Sequence, residues 1–130
     1  METLNIENTK GEVVGKITYT IFDESSIPDW LTEDETVDRL IEKLDKGNLL
    51  FPAIALDNIA IKKGLRGLGH GNTGMNEFCN QFYDYATIWL QANINDRDMN
   101  DFDLVSWYEG YGFKVVGETG EGNPIMLLQQ

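Results

Sequence analysis

Six residues, Arg66-Gly67-Leu68-Gly69-His70-Gly71, stand between an apolar run ending in Ile59-Ala60-Ile61 and a stretch with helical spacing. Three glycines in that place let the backbone turn inward with no Cβ in the way. Several N–H groups can then face one point beside the positive end of a helix dipole. A strand over 53–61, a turn over 66–71 and a helix over 71–83 form, in that order, a ready-made anion site. Arg66 adds charge to it. Lys62, Lys63 and Arg66 fall within five positions in a chain that has only 10 Lys and Arg.

Two phosphate-binding loops are tested first. A Walker loop requires Gly-Lys-Ser or Gly-Lys-Thr after the turn, whereas Gly71 is followed by Asn72. Gly69-His70-Gly71-Asn72-Thr73-Gly74 satisfies GxGxxG. A dinucleotide fold, however, places its first glycine directly after the strand and needs a long βαβ series. Here polar residues intervene, and about 60 residues remain after the loop.

The rest of the chain reads as α+β. Val13 to Phe22 is rich in β-branched and aromatic residues, with period two at Ile17, Tyr19 and Ile21. Lys10-Gly11 is a turn signal, so residues 3–22 form a β-hairpin. Thr32-Glu33-Asp34-Glu35 matches a capping box ahead of Val37, Leu40, Ile41 and Leu44, with Gly47 as the stop. A strand covers roughly 52–61. Met75, Phe78, Cys79 and Phe82 lie on one face of the next helix, and residues 86–92 form a strand. Residues 93–101 are loop and 101–110 a short helix. Phe113 to Glu118 and Ile125 to Gln129 are the last strands, and residues 1–130 read as one domain.

Length and charge narrow the function. The 130 residues allow one core, and 42% hydrophobic content excludes a disordered chain. No run approaches the ~18 apolar residues of a membrane span. The N-terminus has no signal-peptide pattern, and the single cysteine, Cys79, permits no internal disulfide, which suits the cytoplasm. A net charge of -12 disfavours nucleic acid and anionic membranes and favours a cationic partner, or serves solubility alone. One His and one Cys without ligand spacing give no reason to expect a metal.

The segment from Ile59 through Gly71 resembles the coenzyme-A motif of the GNAT N-acetyltransferase superfamily, a strand followed by Arg/Gln-x-x-Gly-x-Gly/Ala and a helix. Trp107-Tyr108-Glu109-Gly110-Tyr111-Gly112-Phe113 is similar to that family's closing motif, aromatic-Tyr-x-x-x-Gly-Phe before a strand. Some forty residues separate Arg66 from Tyr108, and the resemblance covers about residues 51–130. It implies a mixed, mostly antiparallel central sheet flanked by helices, with a shortened N-terminal region. It also implies acetyl-CoA as co-substrate. The backbone of Ile59, Ala60 and Ile61 would pair with the pantetheine arm, and the amides of Gly67, Leu68, Gly69, His70, Gly71 and Asn72, flanked by Arg66, would hold the pyrophosphate.

The same resemblance implies direct attack of a primary amine on the thioester, with Tyr108 as general acid. A phenol of pKa ~10 suits a thiolate leaving group of pKa ~8.5. Tyr108 is alternatively a core residue. Asp57, nine positions before Arg66, occupies the slot of a general base, or is a strand-edge carboxylate facing solvent. His70 suits the phosphate turn better than base chemistry. Where many relatives carry Asn seven residues before the tyrosine, this chain has Asp101, so Asn100 takes the cofactor contact or it is lost. The usual strand and two helices that wall the acceptor cleft are reduced here to one helix, 32–46, which leaves room for a homodimer partner to complete that side. The leading expectation is thus an acetyl-CoA-dependent N-acetyltransferase acting on a cationic small-molecule or protein amine. The alternative is a non-catalytic acidic protein on a degenerate scaffold that binds a basic partner.

Overall fold

The computed structural model of the chain describes residues 2–46, 51–62, 64–65, 68–92 and 104–129. Six strands run β1 (Glu2–Glu7), β2 (Val13–Phe22), β3 (Ala53–Ile61), β4 (Thr87–Gln91), β5 (Lys114–Glu118) and β6 (Pro124–Gln129). They join in one sheet of order β1-β2-β3-β4-β6-β5. Every pairing is antiparallel except that of β3 with β4. The helices are α1 (Glu35–Lys46), α2 (His70–Gln81) and α3 (Leu104–Glu109), with a 3-10 turn at Asp29–Thr32. The expected hairpin forms, and Gly11 turns it with φ of 79°.

Strand alternation sends apolar side chains to both faces of the sheet. On one face Ile17, Tyr19, Ile54, Leu56, Ile88 and Leu90 pack with Met75 and Phe78 of α2, with Phe82 at its C-cap and with Tyr108 of α3. On the other, Phe22, Ala53, Ala55, Trp89 and Leu127 pack with Val37, Ile41 and Leu44 of α1. These are called the α2 face and the α1 face. Trp89 is fully buried, and its indole N–H donates to Thr87 Oγ1 at 2.9 Å, so no polar atom of the ring is stranded.

The start of α1 corrects the sequence reading. Thr32 does not cap the helix; it closes the preceding 3-10 turn, its hydroxyl donating to the Asp29 carbonyl at 3.1 Å. Asp34 takes the capping position, its Oδ1 accepting the Thr36 amide at 2.7 Å and its carbonyl accepting the Asp38 amide at 2.9 Å. Asp34 wins because its second oxygen has tertiary work. Oδ2 accepts the Glu118 amide of β5 at 3.0 Å, and neighbouring Glu33 accepts the Gly120 amide at 2.6 Å. These two carboxylates fasten the β5–β6 hairpin to the N-terminal end of α1. Gly117 permits this approach, since a Cβ there would lie 2.4 Å from Val37 and 2.8 Å from the Asp34 carboxylate.

The feature that positions the site is the behaviour of β3. It pairs with β2 from end to end, yet its parallel pairing with β4 stops at Leu56↔Leu90. Thr18 opposes Asn58 and Tyr19 opposes Leu56, so Asp57 is an extra residue, a β-bulge. A bulge bends its strand and increases the local twist. Beyond it β3 follows β2 while β4 follows β6, and the sheet forks. From Asp57 to Ile61 the β3 edge that faces β4 has no strand partner among the described residues.

Candidate active site

The fork leads directly to the glycine turn. Lys62 donates its amide to the Val14 carbonyl at 2.8 Å, ending the strand. The chain then turns through Gly64, with φ of 90°, as Leu65 donates to the Lys62 carbonyl at 3.0 Å. Gly69 adopts φ of 83° and precedes α2 without a side-chain cap. The first amide that bonds back is Thr73, to the Gly69 carbonyl at 3.1 Å. The amides of His70, Gly71 and Asn72 therefore keep no protein acceptor among the described residues, at the positive end of the helix. Leu68 is exposed beside them. Arg66, Gly67 and Asn100, as well as Lys63 and Asp101, lie outside the described residues.

Ile59, Ala60 and Ile61 occupy the unpaired β3 edge, as the sequence suggested. Their position depends on Gly15, which pairs with Ile61: a Cβ at Gly15 would sit 2.5 Å from the Ala60 carbonyl oxygen. The close approach of β2 fixes this part of β3 from behind.

α3 is tied to the same turn. Asn72 Oδ1 accepts the Trp107 indole N–H at 2.9 Å and the Tyr111 hydroxyl at 2.5 Å. The Trp107 ring lies against Gly71, with Cζ2 placed 3.6 Å from where a Cβ would stand. The Asn72 side chain is thus structural, and only its amide is available to a ligand. This anchoring was not visible in the sequence, since Asn72 stands 35 and 39 positions from its partners.

Tyr108 is buried, with its ring against Trp107 and Phe113. Burial pushes its phenol up to about 12, above the ~10 assumed from the free side chain. Its hydroxyl has no hydrogen-bond partner among the described residues. Asp57 is exposed, and its Oδ2 accepts the Thr20 hydroxyl at 2.6 Å. Thr20 pairs with Ala55 of the α1 face, so Asp57 projects to that face while Tyr108 belongs to the α2 face. The two residues thus belong to opposite faces of the sheet. Cys79, half-buried on α2, has its thiol pushed up by burial and is not a thiolate near neutral pH. Among the described residues no three His, Cys, Asp or Glu side chains gather to hold a metal, and no helix is long and apolar enough to cross a membrane.

The residues present fit coenzyme A. An unpaired strand edge offers amide-like hydrogen bonds to a pantetheine arm, and three free amides at a helix N-terminus offer donors to a pyrophosphate.

By sequence the chain matches no family model and no curated protein. Solved structures do match it. The histone acetyltransferase HPA2 and related acetyltransferase from Corynebacterium glutamicum superposes with a TM-score of 0.62 at 18% identity, over 95% of this chain and 62% of that one. A GNAT-family acetyltransferase from Listeria monocytogenes gives 0.63 at 18%, over 99% and 64%. A GNAT-family N-acetyltransferase from Escherichia coli, solved with CoA, gives 0.57 at 12%, over 98% and 57%. The chain therefore spans less than two thirds of the length of these structures. The forked six-stranded sheet, with α1 on one face and α2 and α3 on the other, is the fold of the GNAT acetyltransferases.

Proposed function

We propose that the chain is an acetyl-CoA-dependent N-acetyltransferase acting on a primary amine. The observation that carries this reading is the fork: β3 leaves β4 at Leu56↔Leu90, and its free edge runs straight into the uncapped start of α2. The likeness to a structure solved with CoA supports the same cofactor.

In this reading Ile59, Ala60 and Ile61 hold the pantetheine arm by backbone hydrogen bonds. His70, Gly71 and Asn72 direct their amides at the pyrophosphate, with Gly67, Leu68, Gly69 and Arg66 completing the turn, and Asn100 takes over the cofactor contact that Asp101 does not suit. Bound acetyl-CoA supplies an activated acyl group. Asp57 takes the proton that the amine loses as its C–N bond forms and the C–S bond breaks. Tyr108 meets the charge that develops on sulfur. A complete proton transfer from a phenol of about 12 to a thiolate of ~8.5 runs uphill by on the order of 5 kcal/mol. Tyr108 therefore acts as a hydrogen-bond donor that strengthens as sulfur becomes anionic, with the sulfur finally protonated from solvent.

The burial of Tyr108 also favours a second reading, a non-catalytic acidic protein on the same scaffold that binds a basic partner. Thermal unfolding with CoA and acetyl-CoA, followed by acetyl-CoA turnover over a panel of amines, separates the two. A ligand at 100 times its dissociation constant adds about 2.7 kcal/mol of stability. Binding with turnover supports the enzyme. Binding without turnover supports the scaffold, and no shift at millimolar ligand removes the cofactor site altogether.

A further inference from the structure

Among the described residues one side-chain polar atom that is itself sealed from solvent has no hydrogen-bond partner: Oδ1 of Asn123. Asn123 is 6% exposed, and a stranded acceptor at such depth costs stability. Its backbone is well held, the amide donating to Thr119 Oγ1 at 3.2 Å and the carbonyl accepting the Thr119 amide at 2.8 Å. Its side chain is not. Among the described residues the only bond of the carboxamide is from Nδ2 to Gln91 Oε1 at 3.5 Å, the outer limit of a hydrogen bond.

The location gives that atom a purpose. The last β3–β4 pair is Leu56↔Leu90, so Asp57 and Gln91 are the first residues on the two arms of the fork. Gln91 pairs with Ile125 and lies two residues after Trp89, both of which pack on the α1 face. Asp57 projects to that same face through its bond with Thr20. One arm thus presents a carboxylate and the other a pair of carboxamides, Gln91 and Asn123, at the level where the fork opens. Tyr108 belongs to the opposite face.

We propose that Asn123 is the positioning residue for the acceptor amine, which enters from the α1 face between Asp57 and the Gln91–Asn123 pair. This rests on the acetyl-transfer reading above. Asp57 takes the proton from the ammonium, and Asn123 Oδ1 accepts a remaining N–H, turning away from its long contact with Gln91 to do so. With one N–H held and the proton removed, the nitrogen lone pair is left to face the carbonyl carbon in the fork. An acceptor on each arm favours a primary amine over a tertiary one, which has no second N–H to give.

The test uses Asn123→Leu, which keeps the branched shape of the side chain and removes the orphan atom. The probes are 1,4-diaminobutane, glucosamine and Nα-acetyllysine, measured as KM with acetyl-CoA and as Kd on the protein saturated with CoA. The expected result is a rise of about tenfold or more in amine KM and Kd, an unchanged Kd for CoA, and an unfolding temperature equal to or above wild type. Asn123→Asp, which retains an acceptor oxygen, is expected to restore much of the amine affinity. An unchanged amine KM and Kd in Asn123→Leu overturns the proposal while leaving acetyl transfer intact. A fall in unfolding temperature with parallel losses for CoA and amine also overturns it, because that is the signature of a structural residue. If the wild type binds CoA but neither binds nor acetylates any of the three amines, the proposal fails. If it binds no CoA, both readings fail.

Discussion

Tyr108 keeps its phenolic proton across the physiological range, because burial against Trp107 and Phe113 raises its ionisation to about 12. A donor is active in its protonated form, so its contribution is constant below that value and is lost only above it. The pH–rate profile of kcat is therefore expected to show no falling limb from this group below pH ~11. Tyr108→Phe removes the donor without opening a cavity. It should lower kcat by about 10²-fold and leave the KM for acetyl-CoA within about twofold. An equal rate in the variant would remove Tyr108 from the chemistry. At this scale the sequence named candidates and was a poor guide to their environment. The motif around Tyr108 marked the residue, but its burial arises from α3 packing on the sheet, which local sequence does not encode. Asp57 was found by its distance from Arg66. That it is the bulged residue, and is held by Thr20 from 37 positions away, follows only from the register of β2 on β3.

Between elements, two contacts set the site. Gly15 lets β2 approach β3 where β3 has lost β4, and the atom a Cβ would strike is backbone, the Ala60 carbonyl oxygen at 2.5 Å. Backbone cannot yield as a side-chain tip can. Gly15→Ala is expected to destabilise the protein by about 1–3 kcal/mol and to weaken CoA binding, read by calorimetric unfolding and titration. The second contact is the Asn72 bridge to Trp107 and Tyr111, which joins the first turn of α2 to α3. Asn72→Ala loses two hydrogen bonds and should cost about 1–2 kcal/mol, with faster hydrogen exchange in both helices. Strands and helices were legible because their apolar spacing is strong. The hairpin, β3, β4, β5 and β6 fall close to where alternation and turn residues put them. The α1 cap was misread because Thr32 and Asp34 both suit the role locally, and the choice is made by amides of β5 and its hairpin 84 and 87 positions downstream.

For the molecule as a whole, the acidic excess of -12 meets a fold that uses some of its carboxylates as fasteners. Asp34 is held below the ordinary carboxylate range, first by the Glu118 amide and then by that of Thr36; Asp23 is held down first by the Ser25 hydroxyl. A carboxyl whose folded value lies below its unfolded one stabilises fully above the unfolded value, near ~4. That contribution is lost as pH falls through the folded value. The unfolding-temperature gap between wild type and Asp34→Ala is therefore expected to narrow as pH drops below about 4, where the unfolded chain takes up the proton, until the folded carboxylate is itself neutralised at lower pH. A gap that stays constant from neutral to acid pH would show that charge on Asp34 is irrelevant to the link between α1 and β5.

The extra residue in β3 has an architectural consequence. Take away position 57 and the rungs of β2 and β3 would match in step from Phe22 back to Gly15, leaving nothing to turn β3 aside at Leu56. A chain one residue shorter would gain a tidier ladder and lose the fork on which the proposed site depends. Function in this molecule is bought with a miscount.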